Sequence, residues 1–121
     1  MVQSLNTKAT YTGPAIAYLG FAKYGKLMLG DKALEFFSDR KVEDNITIPW
    51  SQIKYVEGVV THNKKIGRRF AVVLNNNSKI SFSSKESGKI LKLIREEIGD
   101  DKVIKAPTFT GTIAKVFKKN R

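Results

Sequence analysis

The sequence contains no cysteine and a single histidine, His62, among its 121 residues. Without cysteine the chain has no disulfide framework, no thiolate metal site and no cysteine nucleophile. One histidine also excludes a metal site built from several histidines. The sequence shows neither the glycine spacing of a nucleotide-binding loop nor a convincing nucleophile and base pair. We therefore expect a protein that is not an enzyme and that uses no cofactor and no metal.

Long apolar runs are also missing. The longest stretch that leans apolar, residues 9–22, is interrupted by threonine, glycine and proline and stops at Lys23. It falls short of the roughly 20 apolar residues that a membrane-spanning helix requires, and it is a poor match to a secretory signal. We expect a cytoplasmic protein, or one that binds peripherally at the inner face of the membrane.

Basic residues, by contrast, are abundant: 22 lysines and arginines stand against 11 acidic residues, which gives a net charge of +11. Hydrophobic residues make up 41% of the chain, enough for one folded domain and too many for a disordered one. Six of the basic residues and no acid fall in residues 102–121. This imbalance predicts a partner with negative charge.

Alternating apolar residues between positions 10 and 83 predict about seven short antiparallel strands. One predicted hairpin has Leu27 and Leu29 on its first strand, and its second strand alternates apolar residues with Glu35, so one face is apolar. Gly30 and Asp31 are predicted to supply the positive φ of its tight turn.

Turn and breaker residues place the other strands. Pro49 is expected to end the strand at residues 46–48, because proline has no amide hydrogen for the ladder, and Trp50 after it is expected in the core. Gly58 predicts a bulge or a sharp bend. The asparagine-rich residues 75–78 predict the last turn, since asparagine tolerates left-handed backbone.

One amphipathic helix is predicted after these strands. A capping box of Ser83 and Glu86, with Ser84 as the alternative cap, marks its start. Gly99 marks its end as a left-handed terminator. Its buried stripe is predicted to consist of Ile90, Leu91, Ile94 and Ile98.

This order of elements is similar to the pleckstrin-homology-like (PH-like) barrel. The run Ile-Pro-Trp-x-x-Ile-x-x-Val at residues 48–56 and Phe-Ser-Ser at residues 82–84 resemble its GRAM-type bacterial relatives. The resemblance implies an α+β fold, a barrel of about seven short antiparallel strands capped by one C-terminal helix. The PH-like (GRAM-like) domain is expected over residues 1–100, followed by a basic tail at residues 101–121 in which a short amphipathic helix is expected.

More specific segments resemble the ManO-like family, small proteins encoded beside mannose-family phosphotransferase genes. The resemblance covers nearly the whole chain and rests on residues 1–8, 23–26, 30–32 and 82–85, and on the acidic and amide residues before the Ile-Pro-Trp run. The family is a domain of unknown function. It implies a cytoplasmic protein near sugar-transporter components that regulates or assists mannose or glucose uptake. No segment matches a phosphotransferase active site, so phosphoryl-carrier activity is not implied.

One candidate binding site is a basic hairpin, where Lys64, Lys65, Arg68 and Arg69 place four positive charges in six residues without an acid. Arginine binds phosphate or carboxylate with two parallel hydrogen bonds. The alternative is a solvated hairpin with no binding role. His62 lies at the same tip. A phosphohistidine would need an orienting pocket, and a solvated turn is the simpler interpretation.

The C-terminal tail is the second candidate. A basic helix with one apolar face is typical of an element that binds a membrane surface or a protein partner. Alternatively, its aromatic residues cover the barrel and its lysines face water. The residues predicted to bind are Phe109, Ile113, Lys115, Phe117, Lys118, Lys119 and Arg121.

These observations lead to the hypothesis of a non-enzymatic accessory or regulatory protein of a mannose-family phosphotransferase system. It would bind membrane subunits of the transporter, or the anionic membrane surface, through the basic hairpin and tail. A nucleic-acid-binding regulator of the same operon is an alternative that the charge permits, although no DNA- or RNA-binding motif is present. A self-assembling scaffold that pairs through exposed sheet edges is another.

Overall fold

The computed structural model describes residues 4–60 and 65–106. Within these ranges the chain forms eight strands and one α-helix, joined in part by the one-turn 3-10 helices Val42–Asp44, Trp50–Gln52 and Asp100–Lys102. The strands are β1 (Ala9–Leu19), β2 (Phe21–Gly30), β3 (Ala33–Ser38), β4 (Ile46–Pro49), β5 (Ile53–Val60), β6 (Ile66–Leu74), β7 (Lys79–Ser83) and β8 (Val103–Lys105), and α1 (Ser87–Ile98) lies between β7 and β8. The domain is therefore mostly sheet.

All eight strands belong to one sheet in the order β4-β3-β2-β1-β7-β6-β5-β8. Neighbours are antiparallel except β5 and β8, which are parallel. Over the described residues the sheet is open, so the predicted closed barrel of about seven strands is wrong. β4 ends at Pro49, and the one-turn helix after it redirects the chain, so β5 pairs with β6 and β8 and not with β4.

The eighth strand lies beyond residue 100, where the sequence predicted the domain to end. Val103, Ile104 and Lys105 pair with residues 56–58 of β5, and the Ala106 amide donates to the Gly58 carbonyl at 2.8 Å. The first part of the predicted tail thus belongs to the sheet. Its short length and the turn before it gave no strand signal in the sequence.

The predicted β2–β3 hairpin is confirmed, with Leu29 opposite Leu34 and both side chains buried. Its predicted positive φ is wrong, since among the described residues only Gly20, Asn77 and Gly99 have positive φ. The turn is held instead by the N-terminal segment. The Asp31 amide donates to the Lys8 carbonyl at 3.1 Å, and the Lys32 amide donates to Asn6 Oδ1 at 2.8 Å.

Other turn and breaker residues act as predicted. β4 ends at Pro49, and a register shift follows Gly58 in β5. Asn77 has a φ of 70° in the turn between β6 and β7. Trp50 is half-buried and packs against the core, and its indole Nε1 donates to the Gly30 carbonyl at 2.9 Å.

The predicted capping box of α1 is wrong. Ser83 pairs with Ile16 on β1 and with Arg69 on β6, so its backbone belongs to the sheet. The helix begins one turn later with Glu86 as N-cap and no side-chain cap. The Ser84 hydroxyl accepts a hydrogen bond from the Glu86 amide at 3.1 Å, which forms a tight turn before the helix.

The inner face of α1 covers the core as predicted. Ile90, Leu91 and Ile94 are buried, and Ile98 packs at the edge of the same cluster. Beneath them the Phe70 and Phe82 rings stack with their centroids 5.6 Å apart. A packed interior of this kind leaves binding to the surface and its clefts. No helix in the described part of the chain is long and apolar enough to cross a membrane.

Candidate functional site

Only part of the predicted binding surface falls within the described residues. Lys65, Arg68 and Arg69 are described, and all three are exposed. The remaining predicted residues lie outside the described ranges: His62, Lys64, Phe109, Ile113, Lys115, Phe117, Lys118, Lys119 and Arg121.

The two arginines of the predicted hairpin cluster lie on opposite faces of the sheet. Successive side chains of a strand point to opposite faces, and Arg68 and Arg69 are neighbours within β6. The Arg69 guanidinium stacks over the Tyr18 ring, 4.0 Å from its centroid. Arg68 lies on the other face, beside the start of α1, where its carbonyl accepts from the Ser84 amide at 2.9 Å. The two side chains therefore do not form one site.

Arg68 instead lies near exposed lysines that belong to α1 or directly precede it. The start of β6 contacts the start of α1, because the Ser87 hydroxyl donates to the Gly67 carbonyl. Residues 65–69 and 84–92 together carry six basic residues and one acid, Glu86. We call Ile66, Arg68, Lys85, Lys89 and Lys92 the basic face.

An apolar side chain lies within the basic face. Ile66 is 51% exposed, and it lines a groove of about 390 Å³ together with Gly88, Lys92 and Ile104. An exposed apolar residue among cations suits a surface that carries both charge and hydrocarbon. The lysines of α1 gave no such signal in the sequence, because only the packing of β6 against α1 brings them beside Arg68.

A second feature is a cleft of about 480 Å³ between β1, β2 and the β7–α1 junction, which we call the Tyr11 cleft. It forms because β7 ends at Ser83, opposite Ile16, so residues 11–15 of β1 have no β7 partner on that side. Its lining includes Tyr11, Ile16, Tyr24, Arg68, Ser84 and Lys85. Asp39 and Glu86 also line it, so its charges balance.

Tyr11 forms part of the wall of this cleft. Its side chain is 7% exposed, and the Lys89 ammonium lies 5.6 Å from its ring centroid. Its hydroxyl is buried and has no hydrogen-bond partner among the described residues. A Cβ at Gly13 would lie 2.3 Å from that hydroxyl, so glycine at this position makes room for it. No sequence signal pointed to Tyr11.

The turn between β1 and β2 exposes a third surface. Phe21 is 79% exposed and Tyr24 65% exposed, because these residues of β2 extend past the end of β3, whose pairing begins at Gly25. Residues 21–24 and 39–44, which meet there, carry three basic and three acidic residues, and Lys23 pairs with Asp44 at 3.5 Å. This surface has no excess of either charge.

Glu35 is a fully buried carboxylate, which in other settings would suggest catalysis. It accepts hydrogen bonds from the Ser4 hydroxyl, the Leu5 amide at 3.1 Å, Asn6 Nδ2 at 2.9 Å and the Thr47 hydroxyl at 3.0 Å. Burial raises the pKa of Glu35, but these hydrogen bonds outweigh it and hold the pKa below its ordinary value of 4.5. An ionised carboxylate with its acceptor sites filled has a structural role.

No other group suggests a metal or catalytic centre in the described residues. Within residues 4–60 and 65–106, no three acidic or histidine side chains come together in a way that could hold a metal ion. The arrangement can bind an anion or a charged surface through its cations.

The described part of the chain is a mostly-sheet domain with one α-helix, and its fold is similar to that of a PH domain. The chain superposes on the PH domain of Slm1 in complex with phosphoserine with a TM-score of 0.53 and 10% identity, over 74% of this chain and 91% of that one. It superposes on the C-terminal domain of an unknown protein from Leishmania infantum with a TM-score of 0.64 and 15% identity, over 75% and 84% of the two chains. At these identities the similarity concerns the fold alone.

The family is shown by sequence. The model of the family described as "Domain of unknown function (DUF956)" matches residues 1–117, so the chain belongs to that family. No curated protein sequence matched the chain.

Proposed function

We propose that this protein is a non-enzymatic accessory or regulatory protein of a mannose-family phosphotransferase uptake system. In this proposal it acts in the cytoplasm at the inner face of the membrane. It docks through the basic face, and through the basic tail beyond residue 106, on the anionic membrane surface beside the transporter subunits. The choice of transport system is based on the resemblance to the ManO-like family, and the proposed mode of binding is based on the described surface.

The observation that carries this proposal is the excess of positive charge on the basic face. Its cations are Arg68, Lys85, Lys89 and Lys92, and the two segments that form it contain one acid, Glu86, whereas the surface at the β1–β2 turn has three charges of each sign. Each basic residue near an anionic leaflet contributes about 1 kcal/mol. Exposed Ile66 adds an apolar contact at the centre of the same surface.

The fold neighbour is compatible with an anionic partner. The PH domain of Slm1 was crystallised with phosphoserine, so a related fold holds a phosphorylated group in that case. We extend this to the present chain only as support for an anionic partner, since the two sequences are 10% identical.

Co-sedimentation with lipid vesicles tests the docking surface. Vesicles containing phosphatidylglycerol should bind the protein, and zwitterionic phosphatidylcholine vesicles should not. The variant Lys92→Gln should weaken binding about fivefold, because one lysine contributes about 1 kcal/mol. The matched control Lys32→Gln removes the same charge at the β2–β3 turn. Equal losses in the two variants would contradict docking through the basic face.

Two further measurements test the tail and the transport system. A chain that ends at Ala106 should bind anionic vesicles more weakly, and undiminished binding would remove the tail from the proposal. Affinity capture from native membranes with the intact protein should recover subunits of a mannose-family transporter, and capture with Lys92→Gln should recover fewer. If capture recovers nucleic acid and no transporter subunit, the accessory role is wrong.

A further inference from the structure

The Tyr11 cleft contains a buried hydroxyl that the described fold leaves without a partner. Only 7% of the Tyr11 surface is exposed, and its hydroxyl makes no hydrogen bond to the described residues. Buried polar groups in native proteins are nearly always paired with protein, water or ligand. Gly13 provides the space in which this hydroxyl lies. An unpaired hydroxyl in the wall of a cleft can be satisfied by a bound ligand or by water.

The end of the cleft nearest α1 has the chemistry of an anion site. Arg68 and Lys85 both line it, together with Ser84. Arginine binds phosphate oxygens in pairs, and the lysine adds a second positive charge at this end.

The opposite end of the cleft offers an acceptor. Asp39 lies beside Tyr24, since its amide donates to the Tyr24 carbonyl at 3.0 Å. An ionised carboxylate accepts hydrogen bonds and donates none, so its ligand partner must be a donor such as a hydroxyl or an ammonium group. Glu86, the second acid in the lining, also needs a hydrogen-bond donor. A ligand with only negative charge would therefore leave the acids unmatched.

We propose that the Tyr11 cleft binds a small phosphomonoester that also carries hydroxyl or ammonium donors. The phosphate lies against Arg68 and Lys85, the donors face Asp39, and the Tyr11 hydroxyl gains a partner. The cleft volume of about 480 Å³ falls within the range of small-molecule sites. Phosphorylated sugars and phosphorylated amino acids share this chemistry. This binding is additional to membrane docking and does not depend on it.

Isothermal titration calorimetry with the intact protein tests the ligand class. The probes are glucose 6-phosphate, O-phosphoserine, and their unphosphorylated parents glucose and serine. We expect at least one phosphomonoester to bind at least about tenfold more tightly than its parent. Binding of glucose 6-phosphate alone identifies the sugar class, and binding of O-phosphoserine alone identifies the amino-acid class. If neither binds at concentrations up to about 1 mM, the proposal is overturned.

Neighbouring arginines supply a matched pair of variants. Arg68→Gln and Arg69→Gln remove the same charge one residue apart, but only Arg68 lines the cleft. Arg68→Gln should weaken phosphomonoester binding about tenfold, and Arg69→Gln should change it less than about twofold. Equal losses would show diffuse attraction and would overturn the site. If Arg68→Gln does not fold, ligand-induced NMR shifts at the amides of residues 84–86 in the wild type replace it, and shifts confined to other regions would overturn the site.

Tyr11→Phe separates this site from the basic face. It should weaken phosphomonoester binding several-fold and leave the thermal midpoint unchanged, because the wild-type hydroxyl makes no hydrogen bond to the described residues. Unchanged ligand affinity in this variant would overturn the proposed contact. Lys92, which belongs to the basic face, lies outside the cleft lining, so Lys92→Gln should retain ligand binding. Failure of vesicle binding and failure of ligand binding are thus distinguishable.

Discussion

The side-chain amide of Asn6 donates a hydrogen bond to the buried Glu35 carboxylate at 2.9 Å, which fastens the N-terminal segment to the middle of β3. Asn6 also accepts hydrogen bonds from the Lys32 and Ala33 amides at 2.8 and 2.7 Å. Asp31 holds the same segment from the other side, since it accepts from the Thr7 and Lys8 amides. Residues 4–8 thus cover a face of β3 that would otherwise contact water.

Replacing Glu35 tests this arrangement. Glu35→Gln replaces one carboxylate oxygen with an amide NH2 group, which donates hydrogen bonds. Some of the buried donors that bond to Glu35 therefore lose their acceptor. We expect the free energy of unfolding to fall by about 2–4 kcal/mol. Urea unfolding followed by fluorescence measures it, since Trp50 is the single tryptophan. The control Glu96→Gln, on the exposed side of α1, should change stability by less than about 0.5 kcal/mol. A similar small change for Glu35→Gln would contradict the structural role.

The two N-terminal anchors also predict how stability depends on pH. Hydrogen bonds from the Thr7 hydroxyl and the Lys8 amide hold the pKa of Asp31 below its ordinary value of 3.8, and the pKa of Glu35 lies below 4.5. In both cases the folded state favours the ionised form, so the unfolded chain takes up protons first as the pH falls. Stability should be complete above about pH 5 and should decline as the pH falls below 4.5 towards the lower folded values.

Chemical unfolding at several pH values checks this dependence. Between about pH 5 and pH 3 the wild type should lose more stability than the double variant Asp31→Asn/Glu35→Gln, in which neither group titrates. The variant starts from a lower stability, so the slopes are compared and not the absolute values. Parallel curves would show that other carboxyl groups cause the acid sensitivity.

Local patterns predicted most of the strands but not what covers them. The alternation around Glu35 identified the correct buried partners on β3, Leu34 and Phe36. The same alternation placed Glu35 on the opposite, polar face, yet Glu35 is 0% exposed because residues 4–8 fold over it. A period of two specifies the two faces of a strand, but it contains no information about a distant segment that buries one of them.

The candidate site could be predicted from the sequence only in part, for a similar reason. The sequence identified the cations at the start of β6, including Lys65 and Arg68. It gave no sign that β6 packs against α1 and the residues just before it, which adds Lys85, Lys89 and Lys92. It also grouped Arg69 with Arg68, although strand alternation sends the two side chains to opposite faces. Charge density is visible in a sequence, but the surface on which the charges meet depends on tertiary packing.

Two glycines should respond differently to alanine. A Cβ at Gly25 would lie 2.2 Å from the Phe37 carbonyl oxygen, a backbone atom that the β2–β3 ladder holds in place. Gly20 has open space around it, and only its φ of +83° disfavours a side chain. We expect Gly20→Ala to lower the free energy of unfolding by about 1–2 kcal/mol. Gly25→Ala should lower it by about 3 kcal/mol or more, the upper end of the cost of overpacking a core, because a backbone atom cannot move aside. Thermal and urea unfolding distinguish these outcomes, and equal losses would contradict the close approach at Gly25.

A double-mutant cycle tests whether Gly30 is required because of Asn6. A Cβ at Gly30 would lie 2.2 Å from Asn6 Cγ, so Gly30→Ala should displace the Asn6 side chain and break its hydrogen bonds to Ala33 and Glu35. Asn6→Ala removes those bonds directly and also vacates the space. We therefore expect each single variant to lose about 1–3 kcal/mol of stability, and the double variant to lose little more than Asn6→Ala alone. Residues that share a contact show coupling of about 0.5–3 kcal/mol in such cycles. Additive losses would mean that Gly30 is needed for the backbone of the turn itself and not for the space that Asn6 occupies.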